Sequence, residues 1–317
     1  MKGLKKIALV AAIAAAPLAS HAGMKALDDT TMGNVTGQAG VTIELETRVS
    51  IGEFIYTDEG SFAVSGIELG GVTVSSSASA AAYASATGAG DLLDNLKIDI
   101  DIADDGDAII HVGSLQTNPA TGMPMPIDWG MTADSMELRG NAGEQTTLIS
   151  NMDAWGLLGA LDIRVDTADV DGVAGSGTLN LDVAFTVEQM DFDVEFMGVG
   201  IRGLSIRGVN DFGQTMSETE LAAILGDGPD SQDAELDGRL VGLASGALGK
   251  SFAVARLDVY KGDGFGASTA TDVLRVDVTD VLMDINIAET IIGGASIGTI
   301  SIDNLHVSDT RLAVYGH

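Results

Sequence analysis

Carboxylates cluster in three short polar stretches, and closely spaced carboxylate oxygens are the ligands that calcium prefers. The stretches are DIADDGD at 101–107, DTADVDG at 166–172 and GDGPDSQDAELDG at 226–238. In the second, which resembles half of a calcium loop, Thr167 stands at the first ligand position and Thr178 at the closing acidic one. Solvated acidic turns are the default interpretation, and calcium binding is the alternative; calcium is the one cofactor that these residues suggest. The candidate ligands are Asp101, Asp104, Asp105, Asp107, Asp166, Asp169 and Asp171.

Two other stretches match catalytic patterns but stand in the wrong context. ASGALGKS at 244–251 fits a loose phosphate-loop pattern, yet such a loop follows a strand and starts a helix. Here a predicted helix precedes it and a strand pattern follows. GASIG at 294–298 fits the elbow of a nucleophilic serine, which needs a strand-to-helix turn and a later histidine. Ser296 instead leads into another strand pattern, so we interpret it as a solvated strand residue.

Histidines and aromatic residues are too scarce to indicate a further catalytic site. His111, His306 and His317 follow the N-terminal leader, and none has the spacing of a zinc ligand. Because the chain has 46 Asp and Glu residues, carboxylate pairs suited to glycoside hydrolysis occur by number alone. The aromatic platforms that usually accompany such pairs are not evident, since there are two Trp and four Tyr residues. We therefore expect no enzymatic activity.

Apolar residues alternate with polar ones over long stretches, a period-two pattern that is typical of half-buried strands. Ile98, Ile100 and Ile102 alternate with aspartates, and longer runs begin at Leu179 and at Leu274. The sequence therefore predicts an all-β fold.

A five-residue repeat, apolar-x-apolar-x-x, adds detail in three places: 62–74, 199–209 and 300–314. Such a spacing predicts very short strands with two-residue corners, often at glycine or asparagine, as in an elongated β-solenoid. A curled β-sheet stack or a β-sandwich with a series of β-bulges is the alternative. We expect the solenoid-like arrangement.

Helical patterns are few. A short N-terminal helix is predicted from Leu27 to Gly37. The stretch SETELAAILGDG predicts a capped helix from Ser217 to Gly226, and a weaker helical pattern covers 233–248. The Ser/Ala-rich stretch 75–90 is interpreted as a loop or linker. The predicted organisation is a signal peptide at 1–22, a β-rich domain at 23–215, an acidic helical segment at 216–250 and a C-terminal β segment at 251–317, packed on the same domain.

Composition indicates an exported protein. Lys2, Lys5 and Lys6 precede a short apolar run and small residues, which predicts a signal peptide cleaved after Ala22 and no transmembrane segment thereafter. The chain has no cysteine, so disulfides and thiolate metal sites are excluded. A net charge of −30 opposes nucleic-acid binding. The expected locations are the periplasm, the outer membrane surface or the extracellular space.

The stretch MKALDDTTMGNVTGQAGVTIELE at 24–46 resembles the N-terminus of exported Gram-negative proteins in domain-of-unknown-function family 6160. Some of these proteins look like the FilA-type proteins of a pilus system. The resemblance implies an envelope or surface role and brings no catalytic residue. The matching residues are Leu27, Asp28, Met32, Val35, Thr36, Gly37, Gln38, Ala39, Gly40, Val41, Thr42 and Ile43.

Two classes of function fit these observations. The first is a structural or assembly component of the cell surface, pilus- or fibre-associated, whose partners are other envelope proteins or, as an alternative, further copies of itself. The second is an envelope binding protein for an apolar ligand or a polysaccharide. A filled core with exposed strand edges favours the first, and a contiguous apolar groove favours the second.

Overall fold

The computed structural model describes residues 40–119, 122–168, 170, 176–226, 234–246 and 249–316. Strands dominate these residues, so the all-β prediction is confirmed. The strands are β1 Val41–Thr47, β2 Val49–Thr57, β3 Ser61–Gly70, β4 Leu93–Ile102, β5 Ala108–Ser114, β6 Ile127–Arg139, β7 Gln145–Asp166, β8 Thr178–Val194, β9 Val199–Arg207, β10 Ala253–Gly262, β11 Val273–Ile292 and β12 Ala295–Val314. The helices are α1 Ala78–Thr87, α2 Glu218–Leu225 and α3 Ala234–Ser245.

The strands form one 12-stranded antiparallel sheet with two halves that share four long strands. In the first half, the order is β1-β4-β5-β7-β8-β10-β11-β12. In the second half, it is β2-β3-β6-β7-β8-β9-β11-β12. Three of these long strands, β7, β8 and β11, change a neighbour along their length: β7, for example, pairs with β6 through Gln145–Leu158 and with β5 through Leu161–Val165.

The five-residue repeats do not form the short strands and corners of a solenoid. Most of each repeat lies inside one strand, and the alternation slips where a residue takes a left-handed backbone conformation, as at Gly66, Gly203 and Asn304 (φ +64°, +61° and +53°). At Asn304 the pairing with β11 also changes register, which is a β-bulge. The solenoid interpretation is wrong. A single left-handed residue shifts the alternation by one residue, so the five-residue spacing keeps apolar side chains on one face without any corner in the strand.

The helices cover one face of the sheet. Leu221 and Leu225 of α2 and Leu240 of α3 are fully buried against a cluster of strand residues that includes Leu157 and Ala184. Helix α1 packs beside them through Tyr83, whose ring centroid lies 5.2 Å from that of Trp155. This face holds the largest buried core.

The opposite face carries rows of apolar side chains that continue from strand to strand. Ile43 pairs with Ile98, Ile98 with Val112, Val112 with Leu161, and Leu161 with Val183. Directly opposed residues point to the same face of a sheet. A smaller core cluster, around Leu96, Val112 and Ile127, lies on this face and contains only residues of strands and their flanks.

The predicted helices near 217 and 234 are confirmed. Ser217 accepts a bond from the backbone N–H of Glu220, the Glu220 carboxylate accepts one in return, and α2 ends before Gly226. The linker predicted at 75–90 is wrong, because α1 fills most of it. Alanines favour helix, Ser77 caps its start and Gly88 its end in a left-handed conformation (φ +81°).

Several sequence predictions fall on residues outside the described ranges. These are the signal peptide, the N-terminal helix at 27–37 and most of the loop at 226–238. Among the described residues, no helix is long and apolar enough to cross a membrane.

Candidate functional site

One edge of the sheet is formed by β1 and β2, which are almost one continuous strand. Only Arg48 separates them. Its guanidinium pairs with Glu68 of β3 and lies 2.8 Å from Asp91, just before β4. These carboxylates, Glu68 foremost, raise the pKa of Arg48. These ion pairs lie where the edge passes from one half of the sheet to the other. Before Arg48, β1 pairs with β4 of the first half, and after it, β2 pairs with β3 of the second half.

The other edge is formed by β12. Its 20 residues pair with β11 along both halves of the sheet. In the described chain, none of β1, β2 and β12 has a second partner strand. Each therefore presents a row of unpaired backbone N–H and C=O groups, a template on which another strand can pair.

Exposed apolar side chains concentrate on these two edges. Within the described residues, 27 large apolar side chains are exposed; eight of them lie on β1 and β2 and five on β12. The eight are Val41, Ile43, Leu45, Val49, Ile51, Phe54, Ile55 and Tyr56, and the five are Ile297, Ile300, Ile302, Leu312 and Val314. Isolated exposed apolar residues are ordinary, but contiguous ones mark interaction surfaces.

The usual protection of a sheet edge is only partly present. Natural proteins discourage edge pairing with lysine, proline and bulges. Neither edge contains lysine or proline. β12 does contain left-handed residues at Gly298, Asn304 and Asp309. The edges therefore suit pairing with a partner whose strand follows the same irregularities.

The predicted calcium ligands divide into several environments. Asp107 is buried; it accepts hydrogen bonds from the backbone and the hydroxyl of Thr167 and pairs with Arg164 at 2.9 Å. These bonds, the backbone one foremost, lower the pKa of Asp107. Asp166 lies 3.9 Å from the same guanidinium.

The other candidate ligands do not join these two in a described site. Asp101 is exposed at the end of β4. Asp104 and Asp105 are exposed in the following turn, where Asp105 accepts a bond from the backbone N–H of Asp107. Asp169 and Asp171 lie outside the described residues. Among the residues that the structure describes, no group of three acidic or histidine side chains is placed to hold a metal ion.

The remaining sequence patterns occupy structural positions. Lys250 pairs with Glu188 at 2.8 Å, and Ser251 donates to the carbonyl of Ala244 at 2.5 Å. Ser296 lies within β12. His306 lies 2.8 Å from Asp280. His317 lies outside the described residues.

A side-chain network joins α3 to the sheet through His111. Its Nδ1 lies 2.6 Å from the Asp162 carboxylate, which also pairs with Arg239 of α3. The guanidinium of Arg239 in turn lies 2.9 Å from Nε2 of His111. The three side chains therefore hold α3 on the sheet.

Sequence reasoning missed a structural use of the acidic residues. Several aspartates lie against the left-handed residue of a neighbouring strand. Asp191 accepts from the backbone N–H of Gly203 at 2.5 Å, and Asp284 from that of Asn304 at 2.7 Å. The Asp134 carboxylate occupies the space that a Cβ on Gly66 would need. The sequence shows that aspartates alternate with apolar residues. It does not show which left-handed residue of a neighbouring strand each aspartate contacts.

Residues 1–104 match the model of a family of unknown function, DUF6160. This stretch contains β1 to β4, so it includes the whole of the β1–β2 edge and the strands that pair with it. No curated protein and no solved structure matches the chain.

Proposed function

We propose that this chain is an exported, non-enzymatic structural component of the cell surface, associated with a pilus or fibre, which assembles with protein partners through the edges of its sheet. The observation that carries the proposal is the pair of unpaired edges, β1–β2 and β12, on which exposed apolar residues concentrate. Strand addition to an open edge is a recurrent way for one protein to bind another.

The chemistry of the edges supports this role. A strand that is added to an edge gains one backbone hydrogen bond for about every residue paired, and it covers the apolar side chains beside it. Phe54 and Tyr56 on one edge and Ile297 on the other are more than half exposed, and they would become covered in this way.

The export part of the proposal rests on the N-terminal sequence. Three lysines followed by an apolar run and small residues predict a signal peptide. The strongly acidic composition suits solubility outside the cell. The pilus association rests only on the resemblance of some members of family 6160 to FilA-type proteins, since this family, whose model matches residues 1–104, has no known function.

A second candidate function is binding of an apolar ligand at the envelope. It is favoured by the apolar rows on the face opposite the helices, where Leu161 and Val183 are only half-buried. A described depression of about 500 Å³ near Glu195 and Phe196 is lined mainly by polar residues such as Thr146 and Ser150, so it does not add to this candidate.

Paired lysine variants test the proposed function. Ile297→Lys adds a charge to the β12 edge at a side chain that is 60% exposed, and Phe196→Lys adds the same charge at a side chain that is 61% exposed and lies away from the edges. Both variants should fold, as judged by thermal melting. Only Ile297→Lys should reduce the amount of the chain that is recovered in assemblies sheared from the cell surface.

Two outcomes would overturn the proposal. The first is retention of the wild-type chain inside the cell, with none in the surface fraction. The second is recovery of Ile297→Lys in surface assemblies at the wild-type level, because the edge would then have no part in assembly.

A further inference from the structure

The two edges of the sheet run in opposite directions. Every neighbouring pair of strands is antiparallel, and each half of the sheet contains eight strands from one edge to the other. The first and last strands of such a series are antiparallel. If one copy of the chain is placed beside another in the same orientation, β12 of the first therefore meets β1–β2 of the second as an antiparallel pair, like all the other pairs of the sheet.

The two edges also match in length and in the order of their halves. β1 and β2 supply seven and nine residues around Arg48, and β12 supplies 20. The C-terminal part of β12 belongs to the half of the sheet that ends at β1, and its N-terminal part belongs to the half that ends at β2. The end of β12 at Val314 therefore meets the start of β1 at Val41.

The side chains agree with this register. With Val314 opposite Val41, Leu312 lies opposite Ile43, and both point to the face that carries the apolar rows. Arg311 then lies opposite Glu44. In the described chain neither Arg311 nor Glu44 forms an ion pair, and the Arg311 guanidinium lies 5.4 Å from the centre of the Phe265 ring. Within the sheet, Glu44 lies opposite Lys97 of β4 and Arg311 opposite Asp277 of β11. Pairing of the edges would add an opposite charge on the other side of each.

In number of residues, the two edges approach the size of a specific interface. Stable interfaces use about 20 to 30 residues from each partner and bury about 800 Å² on each. β12 supplies 20 residues, and β1–β2 with Arg48 supplies 17. A further strand pair of this length adds about one backbone hydrogen bond per residue.

We propose that the partner at these edges is a second copy of this chain, with β12 of one copy antiparallel to β1–β2 of the next and Arg311 beside Glu44. This inference rests on the proposed function and names its partner. Because the two surfaces in contact are different, a pair of copies still has one free edge of each kind: β1–β2 on one copy and β12 on the other. Repetition of the contact then gives a filament, or a ring if the rotation between copies closes.

Charge exchange tests the pairing between chains. Glu44→Arg places like charges at the contact, and so does Arg311→Glu. Each variant alone should associate about two- to tenfold more weakly than the wild type. An equimolar mixture of the two should recover association, because the introduced arginine of one variant then faces the introduced glutamate of the other, and the native Glu44 faces the native Arg311. The double variant should recover it as well. Sedimentation velocity over a concentration series compares the wild type, the two single variants, their mixture and the double variant.

Cysteine cross-linking supplies a second readout that does not depend on charge. The chain has no native cysteine, so Val41→Cys and Val314→Cys each introduce a single thiol. Mixing the two variants under mild oxidation should give a disulfide-linked pair of chains. Thermal melting of each variant checks that it folds.

Three results would overturn the inference. They are a wild type that stays monomeric at every concentration, a mixture that associates no better than its components, and a Val41→Cys/Val314→Cys double variant that cross-links only within one chain. If edge variants still lose surface assembly in cells while the mixture shows no recovery, the proposed function stands and the partner is a different protein. If substitutions at the edges leave surface assembly unchanged, the proposed function itself is wrong.

Discussion

The backbone N–H of Gly203 donates a hydrogen bond of 2.5 Å to the carboxylate of Asp191 on the neighbouring strand, at the point where Gly203 adopts a left-handed conformation (φ +61°). Asn304 and Asp284 repeat this arrangement in β12 and β11. A left-handed residue breaks the regular pairing of a strand, and its N–H then needs another acceptor. The aspartates provide that acceptor.

Removing the acceptor should destabilise the sheet. We expect Asp191→Ala to lower the free energy of unfolding by about 1–3 kcal/mol, because the Gly203 N–H loses its partner in a half-buried position. Asp101→Ala, at an exposed aspartate, should change it by less than about 0.5 kcal/mol. Urea unfolding measures both. Equal effects of the two substitutions would mean that the bond to Gly203 contributes nothing specific.

The left-handed glycine should be as important as its partner. Gly203→Ala should cost about 1–2 kcal/mol from backbone conformation alone, and its added Cβ would lie 2.9 Å from that of Ala288. Gly52→Ala in β2 is the matched control, since an added Cβ there meets no atom within 4 Å. Thermal melting compares them. A Gly203→Ala variant as stable as Gly52→Ala would show that the slip in β9 needs no glycine.

Arg256 should be essential to the attachment of the two acidic helices. It is buried and donates to Asp182 at 2.9 Å and to the carbonyl of Leu225 at 2.8 Å, and it lies 3.2 Å from Asp237. Arg256→Leu removes this buried cation from beside both carboxylates, so we expect a loss of about 3–5 kcal/mol in urea unfolding. Lys261→Ala, which removes an exposed pair with Asp272, should cost less than about 1 kcal/mol. A mild effect of Arg256→Leu would contradict this assignment.

The Asp107 carboxylate gives a prediction for both pH and calcium. Its pKa is held below the usual 3.8, chiefly by the Thr167 backbone N–H and by Arg164, so its ionised form stabilises the fold above that pH. Asp107→Asn should therefore lower the melting temperature at pH 7, and the difference should shrink as the pH falls below 3.8. The loss should be the same in chelator and in millimolar calcium. A loss seen only with calcium present would make Asp107 a cation ligand.

Tyr83 on α1 gives a prediction at alkaline pH. Burial against Trp155, with a smaller contribution from Asp128, raises the pKa of its hydroxyl to about 12. The folded chain thus keeps the proton that the unfolded chain loses near pH 10, so stability should fall as the pH rises from 10 to 12. Tyr83→Phe should reduce this fall. An identical pH profile for the variant and the wild type would contradict the burial of the hydroxyl.

The strands could be predicted from the sequence because the alternation of apolar and polar residues involves only residues that are close together in the chain. Runs such as Ile98, Ile100 and Ile102 predict a strand whatever its neighbours are. Export and the capped helix at Ser217 were likewise predicted from neighbouring residues, and the helix is confirmed.

The arrangement of the strands depends on contacts that are distant in sequence. Nothing near Val314 shows that, among the described residues, β12 pairs with β11 alone, or that Val41 lies at the opposite edge. The error over α1 has a similar cause: its serines and alanines suit a linker or a helix, and the contact of Tyr83 with Trp155, 72 residues away in sequence, favours the helix. The five-residue repeat was visible, but its left-handed residues were interpreted as corners.

Hydrogen exchange of the edge amides tests the central claim most directly. The wild-type chain is compared when dilute and when concentrated or sedimented, with the amides of β7 and β8 as an internal reference. If the edges join copies of the chain, amides of β1, β2 and β12 exchange rapidly in the dilute sample and become protected in the concentrated one, while those of β7 and β8 stay unchanged. If the edge amides exchange at the same rate in both samples, the edges of the sheet are not the assembly surface.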